Sequence, residues 1–385
     1  MHQGEISNTG QAVPSARDKL LFTPGPLTTS LSVKQAMLHD AGSWHFEFNA
    51  LVATLRSRLL SIAGVSQAQG WEAILLQGSG TYGVEAVFQT CVARSGKVAV
   101  LANGAYGNRI AQMLERASIE HVVLRTPEDK PVDPAALEIA LSADKAITHV
   151  AMVHCETTTG ILNSLESVGK VARTYGKVFV VDAMSSFGAI PIDLEKHGIG
   201  FLVSSANKCL EGIPGFCFVL CRRKTLLACE GCARSLSLDL LDQLKGFERN
   251  GQFRYTPPTH ALLGFDQALK EFEAEGGIAG RGARYRANHQ VLCQGMAELK
   301  LFPYLPPALQ SFIITAFPFP PDPKFSFDGF YRGLSERGFI IYPGKLTQVN
   351  TFRIGTIGRI FPADLHQLLA AVRGILERMT GVSGA

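Results

Sequence analysis

Short β-rich runs alternate with helix-length segments through most of this 385-residue chain. Six apolar runs have the length and composition of buried strands: AILLQ, KVAVLA, THVAMVH, VFVVD, GFLVSS and CFVLC. Helical periodicity occupies much of the sequence between them, over residues 81–93, 107–117, 133–142 and 164–175. This alternation predicts an α/β fold in which a mostly parallel sheet has helices on both faces.

The pattern changes after YTPPTH, where a long helical segment leads into the glycine-dense sequence GGIAGRGARYR, which we interpret as a joint near the domain boundary. The last hundred or so residues combine a few strand-like runs with a closing amphipathic helix, which is typical of a smaller α+β domain. We therefore predict an N-terminal arm over residues 1–20, a large domain over 21–275 and a small domain over 276–385, with the start of the large domain near the small one.

Composition excludes several classes of protein. With 46% hydrophobic and 18% charged residues, the chain can bury a large core. The net charge of +4 is not concentrated in any run, and no apolar stretch reaches the length of a membrane span, so neither nucleic acid nor a membrane is an expected partner. The start of the chain lacks a signal-peptide pattern and the eight cysteines are scattered, which predicts a cytoplasmic protein. Cys229 and Cys232 have no second ligand pair at zinc spacing, so no metal is expected.

Polar residues follow the predicted strands at the edge where open parallel sheets bind ligands. Gly78, Ser79, Gly80 and Thr81 come between AILLQ and a helix, and their N–H and hydroxyl groups could hold a phosphate. The other strand-end candidates are Tyr106, Thr157, Asp182 and Lys208.

Lys208 and Asp182 form the most informative pair. An amine after one strand and a carboxylate after another are what pyridoxal phosphate requires: the first bonds its aldehyde carbon and the second pairs with its pyridinium nitrogen. A surface lysine at a turn and a helix-capping aspartate are the simpler explanations of the two residues. They become less attractive because the two residues occur together and because glycines and a proline follow Lys208 in GIPGF.

The stretch GSGTYG also satisfies the GxGxxG pattern of dinucleotide-binding oxidoreductases. Those proteins carry an acidic residue about 20 positions later, at the end of the next strand. That position holds Asn103, which argues against a nicotinamide cofactor. A binding module without catalysis is the third alternative, and the presence of both Lys208 and Asp182 disfavours it.

Four further side chains have possible roles in such a site. Tyr106 could stack on the cofactor ring, and Thr157 could donate a hydrogen bond to the ring hydroxyl, although each could equally serve packing or a turn. Thr256 is either a turn residue or a phosphate ligand reaching from a partner subunit. Arg353, between two apolar residues, suits an anion clamp better than a surface salt bridge, and Lys345 and Arg254 are lesser candidates for a second anion contact.

In these residues and in the motifs around them, the chain resembles the class V aminotransferases of pyridoxal phosphate fold type I. The resemblance extends from LLFTPGPLTTS through LQGSGTYGVEA, NGAYGNR, VDAMSSFGAIPID, NKCLEGIPGF, FRYTPPTH and TFRIGTIG, and so covers nearly all of the chain after the first 20 residues. It implies a seven-stranded-type sheet in the large domain and a homodimer with active sites shared between subunits. It also implies roles for the candidates: Lys208 binds the cofactor aldehyde, Asp182 its ring nitrogen and Thr157 its ring hydroxyl. Ser79, Gly80 and Thr81 hold the phosphate with Thr256 of the second subunit, and Arg353 binds the acidic end of each substrate.

The motifs YPGKLTQ and FRIG resemble more narrowly the members of this family that act on phosphonates. They imply transfer of the amino group from 2-aminoethylphosphonate to pyruvate, with small amines and 2-oxo acids as the ligands. The sequence departs from that pattern after Trp44, where His45, Phe46 and Glu47 replace an expected acidic pair. An alanine or serine:glyoxylate aminotransferase is the alternative within the class, and a cysteine desulfurase is disfavoured because no glycine-flanked cysteine loop is evident near the C-terminal domain.

Overall fold

The computed structural model describes residues 18–380, so most of the predicted N-terminal arm lies outside the described residues. The strands are β1 (Leu20–Leu21), β2 (Trp71–Gln77), β3 (Lys97–Ala102), β4 (Glu120–Arg125), β5 (Ile147–Val153), β6 (Cys155–Glu156), β7 (Ile161–Leu162), β8 (Val178–Asp182), β9 (Ile199–Ser205), β10 (Phe216–Arg222), β11 (Ile314–Pro318), β12 (Phe339–Ile340), β13 (Tyr342–Pro343) and β14 (Thr351–Gly355).

The helices are α1 (Leu31–Ala36), α2 (Phe46–Ile62), α3 (Gly80–Cys91), α4 (Ala105–Arg116), α5 (Pro134–Ala143), α6 (Leu165–Thr174), α7 (Arg223–Leu227), α8 (Leu240–Asn250), α9 (Thr259–Ala274), α10 (Gly277–Glu298), α11 (Phe327–Glu336) and α12 (Pro362–Thr380), with a single 3-10 turn at Gln67–Gln69. No helix in this described part of the chain is both long and apolar enough to cross a bilayer.

A seven-stranded sheet forms the centre of the larger part of the molecule, in the order β2-β10-β9-β8-β5-β3-β4. The neighbours from β9 to β4 are parallel, and only β10 is antiparallel to the strands beside it. The predicted mostly parallel α/β sheet is confirmed. Because six of its strands point the same way, their carboxyl ends lie along one edge, and this edge carries the candidate site.

The core strands are apolar along their whole length, as expected for a sheet covered on both faces. Ala73, Ile74 and Leu75 of β2 and Phe218 of β10 have no solvent exposure. Helix α3 packs across β9 and β10, where Gly83 allows the close approach, since a Cβ at this position would lie 2.9 Å from Cys217 Sγ and from Val203 Cγ1. The first turn of α3 is thereby fixed beside the ends of these strands.

A second, separate apolar core contains Phe22 and residues between Leu292 and Ile375. Strand β1 joins it by pairing in parallel with β12, and the antiparallel sheet β11-β14-β13 lies beside it. The N-terminal strand therefore packs with the C-terminal part of the chain, as the sequence suggested. The exact division at residue 275 stays a prediction, which the existence of two cores supports.

The glycine-dense segment that we interpreted as a joint is the beginning of the 22-residue helix α10. Its glycines bring backbones together: a Cβ at Gly282 would lie 2.6 Å from the carbonyl oxygen of Ala189. Glycine lowers helix propensity, but here close packing against the turn after β8 decides the conformation. This contact places α10 against the loops at the carboxyl edge of the large sheet.

Gly355 provides a test of how the N-terminal segment is held. Its N–H donates to Phe22 O at 2.9 Å, and a Cβ there would lie 2.3 Å from Thr23 O. We expect Gly355→Ala to destabilise the protein by about 1–3 kcal/mol, because two backbones must move apart. Thermal or urea unfolding measures the change.

Gly374→Ala is the matched control, since nothing lies within 4 Å of a Cβ at that position in α12. Alanine there should stabilise the helix by about 0.5–1 kcal/mol. Equal unfolding midpoints for the two variants would contradict the proposed contact between Gly355 and Thr23.

Candidate active site

Seven of the predicted site residues line one cavity of about 190 Å³ at the carboxyl edge of the sheet: Ser79, Gly80, Thr81, Tyr106, Thr157, Asp182 and Lys208. They come from five separate segments of the chain: the start of α3 after β2, the start of α4 after β3, the residue after β6, the last residue of β8 and the turn after β9. The topology therefore brings together the residues that the sequence separates by up to 129 positions (208 − 79).

One end of the cavity is the first turn of α3. Ser79 is the N-cap residue, but its hydroxyl caps no N–H of the helix, so it is available to a ligand. Thr81 adds a second hydroxyl, which accepts a long hydrogen bond of 3.5 Å from Arg109 Nη1. A helix N-terminus, two hydroxyls and a guanidinium together favour an anion such as a phosphate.

Lys208 lies three residues after β9 in the turn that follows the strand, and its amine donates to the carbonyl oxygen of Pro24. Gly25 makes this approach possible, since a Cβ there would lie 2.8 Å from Lys208 Cδ. Burial lowers the pKa of Lys208, while the charges of Tyr106, Cys209 and Asp182 oppose the shift. A lysine with a lowered pKa retains more of the neutral amine, the form that acts as a nucleophile or base.

Asp182 ends β8, and its Oδ1 accepts a 3.0 Å hydrogen bond from Met184 N. The segment after it is a series of turns and not a helix, so Asp182 is not the N-cap that we considered. Burial, assisted by the nearby carboxyl of Glu156, raises the pKa of Asp182 to about 6 against the opposing effects of the Met184 N–H and of Lys208. The carboxylate is therefore poorly solvated unless a cation or a protonated ring faces it.

Glu156 is a buried carboxylate next to Thr157 that the sequence analysis did not single out. Its Oε2 accepts hydrogen bonds from the N–H groups of Tyr106 at 3.1 Å and Gly107 at 3.2 Å, so it caps the first turn of α4. Its Oε1 accepts from the N–H and hydroxyl of Thr158 at 3.1 and 2.7 Å. Burial raises the pKa of Glu156 in spite of these bonds. Glu156 thereby ties the loop after β5 to the segment that presents Tyr106.

Arg353 is only 1% exposed, which excludes the surface salt bridge that we weighed against an anion clamp. Its Nη1 donates to Thr157 O at 2.7 Å and its Nε to Pro343 O at 2.9 Å. Within residues 18–380 no carboxylate forms a salt bridge with it. Burial lowers its pKa, and Tyr106 and Glu156 oppose that shift. Arg353 thus lies beside two of the cavity residues, Thr157 and Tyr106, as a cation without a salt-bridge partner.

Arg353 borders the cavity but is not among its lining residues, and three other candidates also lie outside the lining. Thr256 is exposed and does not line the phosphate end within this single chain. Arg254 forms a 3.5 Å ion pair with Asp242, which leaves it poorly suited to a substrate anion. Lys345 lies 5.1 Å from the centre of the Tyr106 ring, close to the cavity mouth, and it remains exposed.

Comparison with known proteins agrees with this geometry. Residues 33–322 match the model of the family described as aminotransferase class-V. The chain belongs to the class-V aminotransferases. It is 48% identical over 360 residues to a 2-aminoethylphosphonate--pyruvate transaminase from Syntrophobacter fumaroxidans, covering 93% of this chain and 96% of that protein. A Klebsiella pneumoniae protein of the same name is 49% identical over 360 residues, covering 93% of this chain and 98% of its own length.

Solved structures of other aminotransferases share the fold. Pyridoxamine-pyruvate aminotransferase from Mesorhizobium loti superposes with a TM-score of 0.86 at 22% identity, covering 95% of this chain and 94% of that one. An alanine--glyoxylate aminotransferase from Nostoc sp. gives a TM-score of 0.85 at 24% identity, covering 97% of this chain and all of that one. The predicted fold type I architecture is confirmed.

As a class-V aminotransferase, the chain uses pyridoxal phosphate. The cavity fits this group on its own chemistry: an amine and a carboxyl at Lys208 and Asp182, an anion-binding helix end at Ser79–Thr81, and the aromatic ring of Tyr106. The sequence missed Glu156 and Arg109 for different reasons. Glu156 acts through backbone N–H groups, which leave no motif, and Arg109 lies one helical turn after Tyr106, a spacing that the NGAYGNR segment does contain.

The raised pKa of Asp182 leads to a prediction about the cofactor-free protein. A carboxyl whose pKa is higher in the folded than in the unfolded state loses folding stability as the pH rises between the two values. We expect the free energy of unfolding of cofactor-free Asp182→Asn to equal that of the wild type near pH 4 and to exceed it by about 3 kcal/mol above pH 6. Urea unfolding at a series of pH values measures this difference.

Asp144→Asn is the control with the opposite sign. A hydrogen bond from Lys97 lowers the pKa of Asp144, so the loss of that carboxylate should reduce stability at neutral pH. If Asp182→Asn also lowered the stability above pH 6, the buried carboxylate of Asp182 would not destabilise the cofactor-free protein as we expect.

Proposed function

We propose that this aminotransferase transfers the amino group of 2-aminoethylphosphonate to pyruvate and releases phosphonoacetaldehyde and L-alanine. The observation that carries the proposal is Arg353, a buried cation without a salt bridge beside the cofactor cavity. Both proposed substrates carry an anionic end that such a guanidinium binds. The similarity to relatives named for this reaction, at 48–49% identity over 93% of the chain, supports the same substrates.

The bound cofactor supplies an electron-withdrawing ring that stabilises negative charge at the carbon bearing the substrate nitrogen. The residues of the chain orient it. Ser79, Gly80 and Thr81 would hold its phosphate and Asp182 would pair with its ring nitrogen. Thr157 would bind its ring hydroxyl, and Tyr106 would pack on the ring. Asp182 then has the cationic partner that its burial requires, which relieves the unfavourable desolvation of the carboxylate.

Lys208 has two functions in this proposal. Its Nζ atom would hold the cofactor between turnovers, and the free amine would accept the proton from the amine-bearing carbon of the substrate and donate it to the cofactor carbon. Its burial favours the neutral amine, which can accept that proton. Gly25 and Pro24 line the opposite side of the amine, so the movement of Nζ is confined to the cavity.

Thr256 enters the proposal through a second copy of the chain, because it is too exposed to act in its own subunit. Large apolar side chains are exposed beside Thr256, at Tyr255 (40%), and at the starts of α2 and α3, at Trp44 (78%), Phe46 (72%) and Tyr82 (54%). Burial of such side chains against a second subunit would be favourable. We propose a cytoplasmic homodimer with shared sites, and a monomeric mass in sedimentation equilibrium would contradict it.

Amines added one at a time to the holoenzyme test the proposed reaction. We expect 2-aminoethylphosphonate and L-alanine to bleach the visible absorbance of the lysine-bound cofactor without any acceptor present, because they are the donor and the product. L-serine should leave it unchanged, and Lys208→Ala should show no conversion with any amine. Bleaching by L-alanine and L-serine but not by 2-aminoethylphosphonate would instead identify a glyoxylate-type aminotransferase.

Lys345 is proposed as the second anion contact, and it distinguishes the two substrates. A phosphonate has up to two negative charges and three oxygens, whereas pyruvate has one carboxylate that Arg353 alone can satisfy. We expect Lys345→Met to raise the KM for 2-aminoethylphosphonate about tenfold, equivalent to about 1.4 kcal/mol, and to leave the KM for pyruvate nearly unchanged. Steady-state kinetics with each substrate varied in turn provides the measurement.

Two comparisons make this prediction specific. Lys170→Met removes an exposed lysine from α6 and should change neither KM, whereas Arg353→Ala should raise both. An equal change for amine and oxo acid in Lys345→Met would eliminate Lys345 as the residue that prefers the phosphonate.

A further inference from the structure

Five polar residues, three of them buried and two partly buried, form a cluster outside the cavity that the proposed mechanism does not use. We call them the anchor cluster: Glu211, Glu275, Arg281, Arg284 and Tyr285. Arg281 and Tyr285 have no solvent exposure, and Glu211 is 3% exposed. Two carboxylates and two guanidiniums give the cluster a formal charge of zero.

The cluster holds the turn that carries Lys208. The N–H of Glu211 donates to Lys208 O at 2.8 Å, which closes the turn, and Glu211 has a positive φ of 58° that is unfavourable for a residue with a side chain. Its carboxylate accepts hydrogen bonds from Arg284 Nη2 at 2.7 Å and from the hydroxyl of Tyr285 at 2.6 Å. These bonds keep the strained residue in place.

A second pair of contacts fixes the backbone between Lys208 and Glu211. The carbonyl oxygen of Cys209 accepts a hydrogen bond from Arg281 Nη1 at 2.7 Å, and the Tyr285 hydroxyl oxygen lies 3.3 Å from it. Glu275 keeps Arg281 in position through a 2.6 Å bond to its Nε. Side chains of helix α10 therefore bind the Lys208 turn both at a backbone carbonyl, Cys209 O, and at the Glu211 carboxylate.

The same residues bind the segment that follows β14, the strand of Arg353. Arg284 Nη1 donates to the carbonyl oxygens of Gly358 and Ile360, and Gly358 N donates to the Tyr285 hydroxyl at 3.2 Å. Arg353 itself has separate bonds to Thr157 O and Pro343 O, so it does not depend on the cluster for its orientation. The Lys208 turn, in contrast, depends on α10.

We propose that Glu211 is a positioning residue for Lys208, and that Arg281, Arg284 and Tyr285 hold it so that the lysine stays aligned with the substrate anchored at Arg353. The inference rests on the roles proposed above for Lys208 and Arg353. The strained backbone of Glu211 and the charges of the anchor cluster then have one common function, which is to keep the Lys208 turn from relaxing.

Two substitutions at position 211 separate the anchor from the backbone strain. Glu211→Gly removes the carboxylate and adopts a positive φ without strain, so any loss of activity results from the missing anchor. Glu211→Gln keeps an oxygen that accepts from Tyr285 and Arg284, and it keeps the strain. We expect Glu211→Gly to reduce kcat about 100-fold at nearly unchanged KM for the amine, and Glu211→Gln to restore most of kcat.

The pH titration of the visible absorbance of the holoenzyme is the second readout, and it needs no substrate. In Glu211→Gly its midpoint should move to higher pH, because a released turn hydrates the Lys208 nitrogen and so favours its protonated form. The titratable groups that face this nitrogen are Tyr106, Cys209, Asp182 and Arg353, and none is changed in the variant. Because no amine is added, a shift here is independent of which donor the enzyme prefers.

Glu72→Gln is the structural control. It weakens a similar buried ion pair, Glu72 with Arg56 at 2.8 Å, which lies at the edge strand β2 and away from the cavity. Tyr285→Phe serves if Glu211→Gly fails to fold, since it removes one hydroxyl without changing the shape of the core. The inference is supported if the position-211 or position-285 variants alter kcat and the titration while Glu72→Gln only lowers the melting temperature. It is overturned if the variants at positions 211, 285 and 72 all lower the melting temperature and leave kcat and the midpoint of the pH titration as in the wild type.

Discussion

The burial of one amine organises this molecule. Lys208 lies where the large sheet, the Pro24–Gly25 segment and helix α10 meet, and its desolvation lowers its pKa. Such a site can exist only because the surrounding backbone is fixed from several directions, since a flexible turn would let the amine return to water. The glycines at 25 and 355 serve that condition, since Gly25 allows the close approach of Lys208 and Gly355 that of Thr23 in the same segment.

The sheet and the positions of its ligand-binding residues could be predicted from the sequence, because apolar runs mark the strands and parallel strands end at one edge. Lys208, Asp182 and Ser79–Thr81 were found by that rule and meet in one cavity. Residues that act through backbone atoms were not predictable in this way. Glu156 binds N–H groups of α4, and Glu211 is held by side chains more than 60 positions later in the chain. Neither relation has a spacing that the sequence reveals.

The interpretation of GGIAGRGARYR was wrong for an instructive reason. Glycine is a poor helix former, so helix propensity alone predicts that a segment with several glycines is an irregular joint between elements. In the structure the helix α10 needs those glycines, because a side chain at Gly282 would collide with Ala189 O. Tertiary packing therefore selects glycine within a helix here, and the same packing brings Arg281 and Arg284 to the Lys208 turn.

The charges around the cavity differ from those of the anchor cluster, and the difference points to ligands. Lys208, Arg109, Arg353 and Lys345 are four cations, and Asp182 and Glu156 are two anions with raised pKa values. The anchor cluster, in contrast, is balanced within itself. Arg109 is only partly buried and Lys345 is exposed, so the excess of positive charge lies at the cavity and its mouth, where it favours the binding of anions that neutralise it. A cofactor phosphate at the α3 end and a substrate phosphonate or carboxylate at Arg353 would provide that neutralisation at two separate positions. The charge distribution thus accounts for a site that accepts a phosphorylated cofactor and an anionic substrate together.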